Sequence, residues 1–166
     1  MIIDLRKIQS SQIEFIKHLE SKPGVINPKS SFNVTKGQAI KLISKLMQVC
    51  NEIKIQKWWD KPDIDKENLI EELADLLAYI CDVSNYTGVE LVSEIEVTSV
   101  EDLEAFIIAF VSDVVLLSNS NNKAFIRHGL LVILGKFIQL IYNLGFSIEE
   151  LIEAYNKKLK INYTRF

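Results

Sequence analysis

The sequence predicts an all-α protein: one domain spanning residues 1–166, folded as a bundle of five or six helices. Apolar residues recur three and four positions apart through nearly the whole chain, which is the periodicity of helices that bury one face. Capping signals and glycines separate the periodic segments, at the places where helices begin and end. A chain of 166 residues is also long enough to bury a sizeable core.

A loop separates the first two predicted helices. Periodicity predicts a first helix over about 4–20, and two prolines and a glycine mark residues 21–34 as a loop. A long second helix is predicted over about 36–57. Its apolar face is expected to consist of Ile40, Ile43, Leu46, Val49, Cys50 and Ile53.

The third helix is predicted from Asp65, a suitable N-cap, to about Gly88. It contains the run ENLIEELADLLAYICD (67–82), which places acids inside an otherwise apolar helix. Acids on a largely buried helix are costly unless a positive charge meets them.

The segment that follows is ambiguous. Residues 87–100 are rich in β-branched side chains and would suit a short strand, but no partner strand is evident. Thr98 and Glu101 have the spacing of a capping box, which predicts a helix over about 100–117.

The last two helices complete the bundle. Gly145 is the expected end of the first of them, and Ser147 with Glu150 forms a second capping box that opens the final helix. The apolar runs at 105–117 and 129–144 fall short of a membrane span. We expect them to lie in the core or at the interface of a homodimer, because a small bundle cannot easily bury so much apolar surface.

Composition excludes several function classes. A net charge of -3 argues against a non-specific nucleic-acid binder. No signal peptide or membrane anchor is evident, and Cys50 and Cys81 fall in predicted helices as buried thiols. We therefore expect a cytoplasmic protein. His18 and His128 have no zinc-ligand spacing, so zinc is not expected.

The acids of the third helix form one stripe. Glu72, Asp75, Tyr79 and Asp82 lie three or four residues apart and so share a face. Two carboxylates one turn apart are a common half-site for Mg²⁺. On the polar stripe of the second helix only Glu52 is acidic, so the alternative is that both stripes are ordinary solvated faces.

Four segments together resemble the all-α dimeric dUTPases, in the superfamily that also contains the MazG-like pyrophosphohydrolases. They are Gln9, NEIKIQKWW (51–59), EELAD (71–75) and LGFSIEELIEAYNKKLKINYTR (144–165). Residues 89–125 match only as apolar helix. The resemblance implies a helical dimer that binds dUTP between helices, with acids that hold Mg²⁺ and activate a water.

The resemblance also implies roles for individual residues. It assigns to the nucleoside pocket Gln9, Asn51 and Trp59. It assigns to the phosphate end Lys158, Asn162 and Arg165. It assigns metal binding to Glu72 and Asp75, which are the remnant of the catalytic set.

The chain departs from the family where the chemistry would occur. The family's first motif is E-x-x-E, and counting back from Asn51 puts Lys45 and Gln48 at those acidic positions. An ammonium group cannot bind a metal. We expect Lys45 to pair with Glu72 or Asp75 instead, so that its removal would leave these acids unpaired.

Three functions remain open from the sequence. The first is a nucleotide-binding protein, for a deoxyuridine or related nucleotide, with an incomplete magnesium site and impaired or lost catalysis. The second is an active, Mg²⁺-dependent dUTP pyrophosphohydrolase with a rebuilt metal site, using Glu52, Glu71, Glu72 and Asp75. The third is a helical protein that keeps the scaffold only to bind a protein partner.

Overall fold

The computed structural model describes residues 1–27, 33–57, 59 and 63–166. This part of the chain forms six helices and one short pair of strands, which confirms the predicted all-α class. The elements are β1 (Ile2–Asp4), α1 (Arg6–Glu20), α2 (Lys36–Glu52), α3 (Lys66–Thr87), β2 (Val92–Glu94), α4 (Leu103–Ser118), α5 (Lys123–Asn143) and α6 (Ile148–Arg165).

Helix α3 is the centre of the bundle. It packs against α1, α2 and α6, while α5 packs against α4 and α6. Leu73, Leu76, Leu77 and Ile80 of α3 are fully buried. Because three helices cover α3, its polar side chains face other helices rather than open solvent.

Two short strands pair where the sequence showed no partner. β1 and β2 are antiparallel, with Ile3 opposite Ser93. The Leu5 N–H continues the pairing by donating to the Leu91 carbonyl at 2.9 Å. The first helix therefore begins at Arg6 and not at about residue 4, as predicted. The strand β1 before it was not predicted. Ile3 is buried by this pairing, and its partner lies far away in the sequence.

The termini of α3 and α6 agree with the sequence. The Asp65 carboxylate accepts the Glu67 N–H at 3.1 Å, and Gly88 ends α3 in the left-handed region with φ of 76°. Ser147 and Glu150 form the reciprocal capping box at the start of α6. The capping residues in the sequence were therefore sufficient to predict the ends of α3 and the start of α6.

The capping box at Thr98 was predicted wrongly. Helix α4 starts at Leu103, and Asp102 is its N-cap, accepting the Ala105 N–H at 2.9 Å. Thr98 is used elsewhere, since its hydroxyl accepts a hydrogen bond from Gln139 of α5 at 2.8 Å. The Thr98 side chain therefore makes a tertiary contact with α5 and not the helix cap that the local pattern predicted.

Helix α2 is shorter than predicted, and one of the six residues of its predicted apolar face is exposed while the other five are in or against the core. It ends at Glu52, and the chain then turns through Lys54 and Gln56 with φ of 57° and 63°. Leu42 takes a buried position on its inner face, whereas Ile40, expected on the apolar face, is 67 % exposed. The buried apolar residues of α2 are those on the face that packs against α3 and α4.

Helix α5 has the length and composition of a membrane-spanning helix, contrary to the prediction that its apolar run is too short. Most of its large apolar side chains are nevertheless part of the core, including Leu130, Ile133 and Phe137. Its Lys136 forms an ion pair with Asp113 of α4. A central helix of a globular bundle has the same properties, so length and composition alone carry little weight here.

We predict that the outer face of α4 forms a homodimer interface. Ile108, Val115 and Leu116 lie on one stripe and are 67 %, 42 % and 54 % exposed. The double variant Ile108→Lys with Leu116→Lys should shift the chain to monomer, as measured by light scattering at micromolar concentration.

Ile40→Lys is the matched control for this prediction. Ile40 is also 67 % exposed but lies on α2 between the polar residues Lys36 and Lys41. A monomeric wild type, or equal dissociation by both variants, would contradict an interface on α4.

Candidate functional site

One carboxylate of α3 lies between two lysines from two other helices. Asp75 Oδ2 is 2.7 Å from Nζ of Lys158 on α6 and 3.2 Å from Nζ of Lys45 on α2. All three side chains are largely buried, with 22 %, 25 % and 17 % of their surface exposed, in the order Asp75, Lys158, Lys45. The expected contact between Lys45 and an acid of α3 is confirmed, with Asp75 as the partner.

Lys158 is a second partner that the sequence reasoning missed. It was assigned only to phosphates, yet it binds Asp75 and also donates to the Glu71 carbonyl at 3.3 Å. The expectation that loss of Lys45 would leave Asp75 unpaired is therefore wrong. Only the packing of α6 on α3 brings Lys158 to this point.

The side chains present do not fit a magnesium ion at the half-site. Mg²⁺ needs oxygen ligands around it, and Asp75 already meets two ammonium groups that would repel the ion. Glu72 keeps a buried Oε2 without a hydrogen-bond partner among the described residues. Within those residues no group of three His, Cys, Asp or Glu side chains could hold a metal.

A cavity between α2 and α3, the α2–α3 cavity, has a volume of about 630 Å³. It brings together several of the proposed site residues, and its lining is Ser44, Met47, Gln48, Asn51, Glu52 and Glu72. Within it the Asn51 side-chain oxygen accepts a hydrogen bond from Lys57 at 3.0 Å. Gln48 is exposed there, so the position that the family fills with an acid faces the open side of this cavity.

A second cavity, the α3–α6 cavity of about 240 Å³, contains the expected phosphate residues together. Its polar lining is Glu67, Glu71, Lys157, Lys158, Asn162 and Arg165. The guanidinium group can fork onto a phosphate, while each lysine adds a point charge. The three cations exceed the two glutamates of the lining by one positive charge, which favours an anionic group such as a phosphate.

Two residues assigned to the nucleoside pocket, Gln9 and Trp59, differ in their surroundings. Gln9 is buried, and its amide donates to Ser84 Oγ at 3.0 Å and to the Val89 carbonyl at 2.9 Å. Its Oε1 accepts the Leu91 N–H at 2.9 Å. Gln9 therefore holds the chain between α3 and β2, and Trp59 is 69 % exposed.

A buried polar group near Asp82 was not found from the sequence. Tyr155 of α6 donates from its hydroxyl to Gln12 Oε1 at 2.8 Å. Burial raises the pKa of the Asp82 carboxyl to about 7, and a hydrogen bond from Gln12 opposes this increase. The signal available in the sequence was Gln12 itself, a polar residue one turn from Gln9 on the inner face of α1.

Asp82 lines a groove between α1 and α3, the α1–α3 groove, with a volume of about 550 Å³. Tyr79 lies on the same wall, and the Lys41 ammonium is 5.2 Å from the centre of its ring. The acidic stripe of α3 thus runs from the two lysines at Asp75 to the groove at Asp82.

A family model described as dUTPase matches residues 4–166, nearly the whole chain. The chain belongs to the all-α dUTPase family. No curated protein matches it. The family match supports a nucleotide-handling protein of the dUTPase kind. In this dUTPase relative, Lys45 at Asp75 marks the departure from the acidic pattern, whereas Lys158 belongs to the C-terminal set that matches the family.

We predict that Lys45 and Lys158 stabilise the fold jointly. Lys45→Ala or Lys158→Ala should each lower the free energy of unfolding by about 1 kcal/mol, because Asp75 keeps one cation. The double variant should lose about 3 kcal/mol, more than the sum, since a buried carboxylate then has no cation. Urea denaturation at pH 7 measures all three values.

The exposed pair of Lys17 and Glu14 provides the control. Lys17→Ala removes an ion pair whose members are 63 % and 66 % exposed, so its effect should be close to zero. Strictly additive losses from Lys45 and Lys158 would show that the two lysines do not share Asp75.

Proposed function

We propose that this protein binds a deoxyuridine or related nucleotide without a metal ion, and that it hydrolyses nucleoside triphosphates slowly or not at all. The observation that supports this most directly is the contact of the Lys45 ammonium with Asp75, at a position where the family resemblance implies an acid. Where the family resemblance implies acids that gather Mg²⁺, positive side chains already neutralise the carboxylate.

The charge count explains why catalysis would suffer. In a metal-dependent hydrolase the ion polarises the phosphate and lowers the pKa of the attacking water. Lys45 and Lys158 can stabilise negative charge on a bound phosphate, but an ammonium group does not generate a hydroxide. Binding is therefore retained more easily than hydrolysis.

The phosphate end is proposed to lie in the α3–α6 cavity. Lys158 lines this cavity and also contacts Asp75, and its ammonium has three donors that can serve both groups. Arg165 and Asn162 add a charged and a neutral donor from the same face of α6. A phosphate bound here would lie beside the carboxylate where the family acids act.

The alternative of a rebuilt magnesium site finds less support. Glu52 and Glu72 line the α2–α3 cavity, whereas Glu71 lines the α3–α6 cavity on the other side of the helix. The four acids proposed for such a site therefore do not converge around one point. The third alternative, a scaffold kept only to bind a protein partner, does not account for Lys158, Asn162 and Arg165 lining one cavity.

We predict metal-independent binding without turnover. Calorimetric titration with dUMP, dUTP and a non-hydrolysable dUTP analogue should give the same affinity for each ligand with Mg²⁺ as with EDTA. Arg165→Ala should weaken binding by about tenfold, the loss of one charge-assisted contact. Pyrophosphate release near ~10 s⁻¹, the enzyme median, would support the rebuilt metal site instead.

We also predict that two substitutions restore dependence on a divalent metal. Lys45→Glu with Gln48→Glu would place four carboxylates near one point, counting Glu72 and Asp75. The variant should be less stable than wild type in EDTA and recover its melting temperature with Mg²⁺ or Mn²⁺, because a metal that binds only the folded state stabilises it. Lys17→Glu with Glu14 unchanged is the control for added negative charge, and it should show no recovery.

A further inference from the structure

The α1–α3 groove contains an unexplained buried oxygen. Oδ1 of Asp82 is shielded from solvent and has no hydrogen-bond partner among the described residues. Buried polar atoms in folded proteins are nearly always partnered, so this oxygen needs a partner, and a ligand in the groove can supply one.

The orientation of the Asp82 carboxyl is set from α6. Tyr155 donates to Gln12 Oε1, which turns the Gln12 amide nitrogen toward Asp82. That nitrogen can only donate, so the Asp82 oxygen that it meets must accept. Oδ1, the other oxygen, is left as the position for a proton.

We propose that Asp82 is a specificity-determining residue, whose protonated Oδ1 donates a hydrogen bond to a carbonyl oxygen of a pyrimidine base in the α1–α3 groove. This inference rests on the proposed function, since it assigns the base of the nucleotide whose phosphates lie at Lys158. Tyr79 gives the base an aromatic surface between these two points.

The spacing along α3 suits one nucleotide. Asp75 and Asp82 are seven residues apart on the same helix, which is about 10 Å along its axis. A nucleoside monophosphate spans a similar distance between its base and its phosphate. The lysines at Asp75 and the oxygen at Asp82 can therefore contact the two ends of a single ligand.

Burial is the main cause of the raised pKa of Asp82, to about 7. The ionisable groups around it come from four helices: Lys17 and Glu20 on α1, Lys41 on α2 above Tyr79, Tyr79, Cys81 and Tyr86 on α3, and Tyr155 on α6. A base in the groove excludes more water and favours the neutral carboxyl further. Binding should thus be complete below pH 7 and weaken as the pH rises through that value.

The test compares dUMP with deoxyribose 5-phosphate, which has the same phosphate and no base. Calorimetry between pH 5.5 and 8.5 gives the ratio of the two affinities, in which the ionisation of the phosphate cancels. For wild type the ratio should be constant at low pH and fall by up to about tenfold per pH unit above pH 7, as one linked proton requires.

Three variants distinguish the role of the proton from a structural role. Asp82→Asn presents a permanent N–H donor and should keep the low-pH ratio, within about threefold, at every pH. Asp82→Ala should lower the ratio about tenfold at pH 6 and make it independent of pH. Glu153→Gln removes an exposed acid on α6 and should behave like wild type. Thermal unfolding checks that each variant folds.

The outcomes separate the two proposals. A pH-independent ratio in wild type, or an equal loss in Asp82→Asn and Asp82→Ala, would overturn the role of Asp82 while leaving nucleotide binding intact. Failure of both ligands to bind the wild-type chain would overturn the proposed function, and this inference with it.

Discussion

The ionic contact of Asp75 with Lys45 and Lys158 connects the three helices from which the candidate site is built. A carboxylate on a helix that is covered on three sides would be strongly destabilising without compensation. Here α2 and α6 each supply one ammonium group, at 3.2 and 2.7 Å. The same contact links α2 and α6 to α3. The two lysines therefore compensate the charge of Asp75 and also connect the helices that line the cavities beside it.

Two acids on one helix are accommodated in opposite ways. Two cations contact Asp75, whereas burial raises the pKa of the Asp82 carboxyl to about 7. The first environment favours binding of a permanent anion beside the lysines. The second environment favours a neutral carboxyl that can donate a hydrogen bond. About two turns of α3 thus separate the ion-paired carboxylate at Asp75 from the buried carboxyl at Asp82.

Membership of the dUTPase family does not by itself imply its metal chemistry. The fold places α2 opposite α3 in this chain, but the residue at position 45 reverses the sign of the charge that faces Asp75. Metal binding depends on the local sum of charges and on oxygen ligands, not on the backbone. A scaffold can therefore retain its cavities while a single lysine changes the charge available for metal binding between them.

The sequence by itself determined the helical class, the caps at Asp65 and Ser147, and the substitution of Lys45 for an acid, because each depends on residues a few positions apart or on one motif. Tertiary structure alone decided that Lys158 contacts Asp75 and that the Gln9 side chain hydrogen-bonds to the backbone after α3. It also decided the pairing of β1 with β2. These contacts join residues more than 80 positions apart, and their energies depend on burial and distance, which local periodicity does not contain.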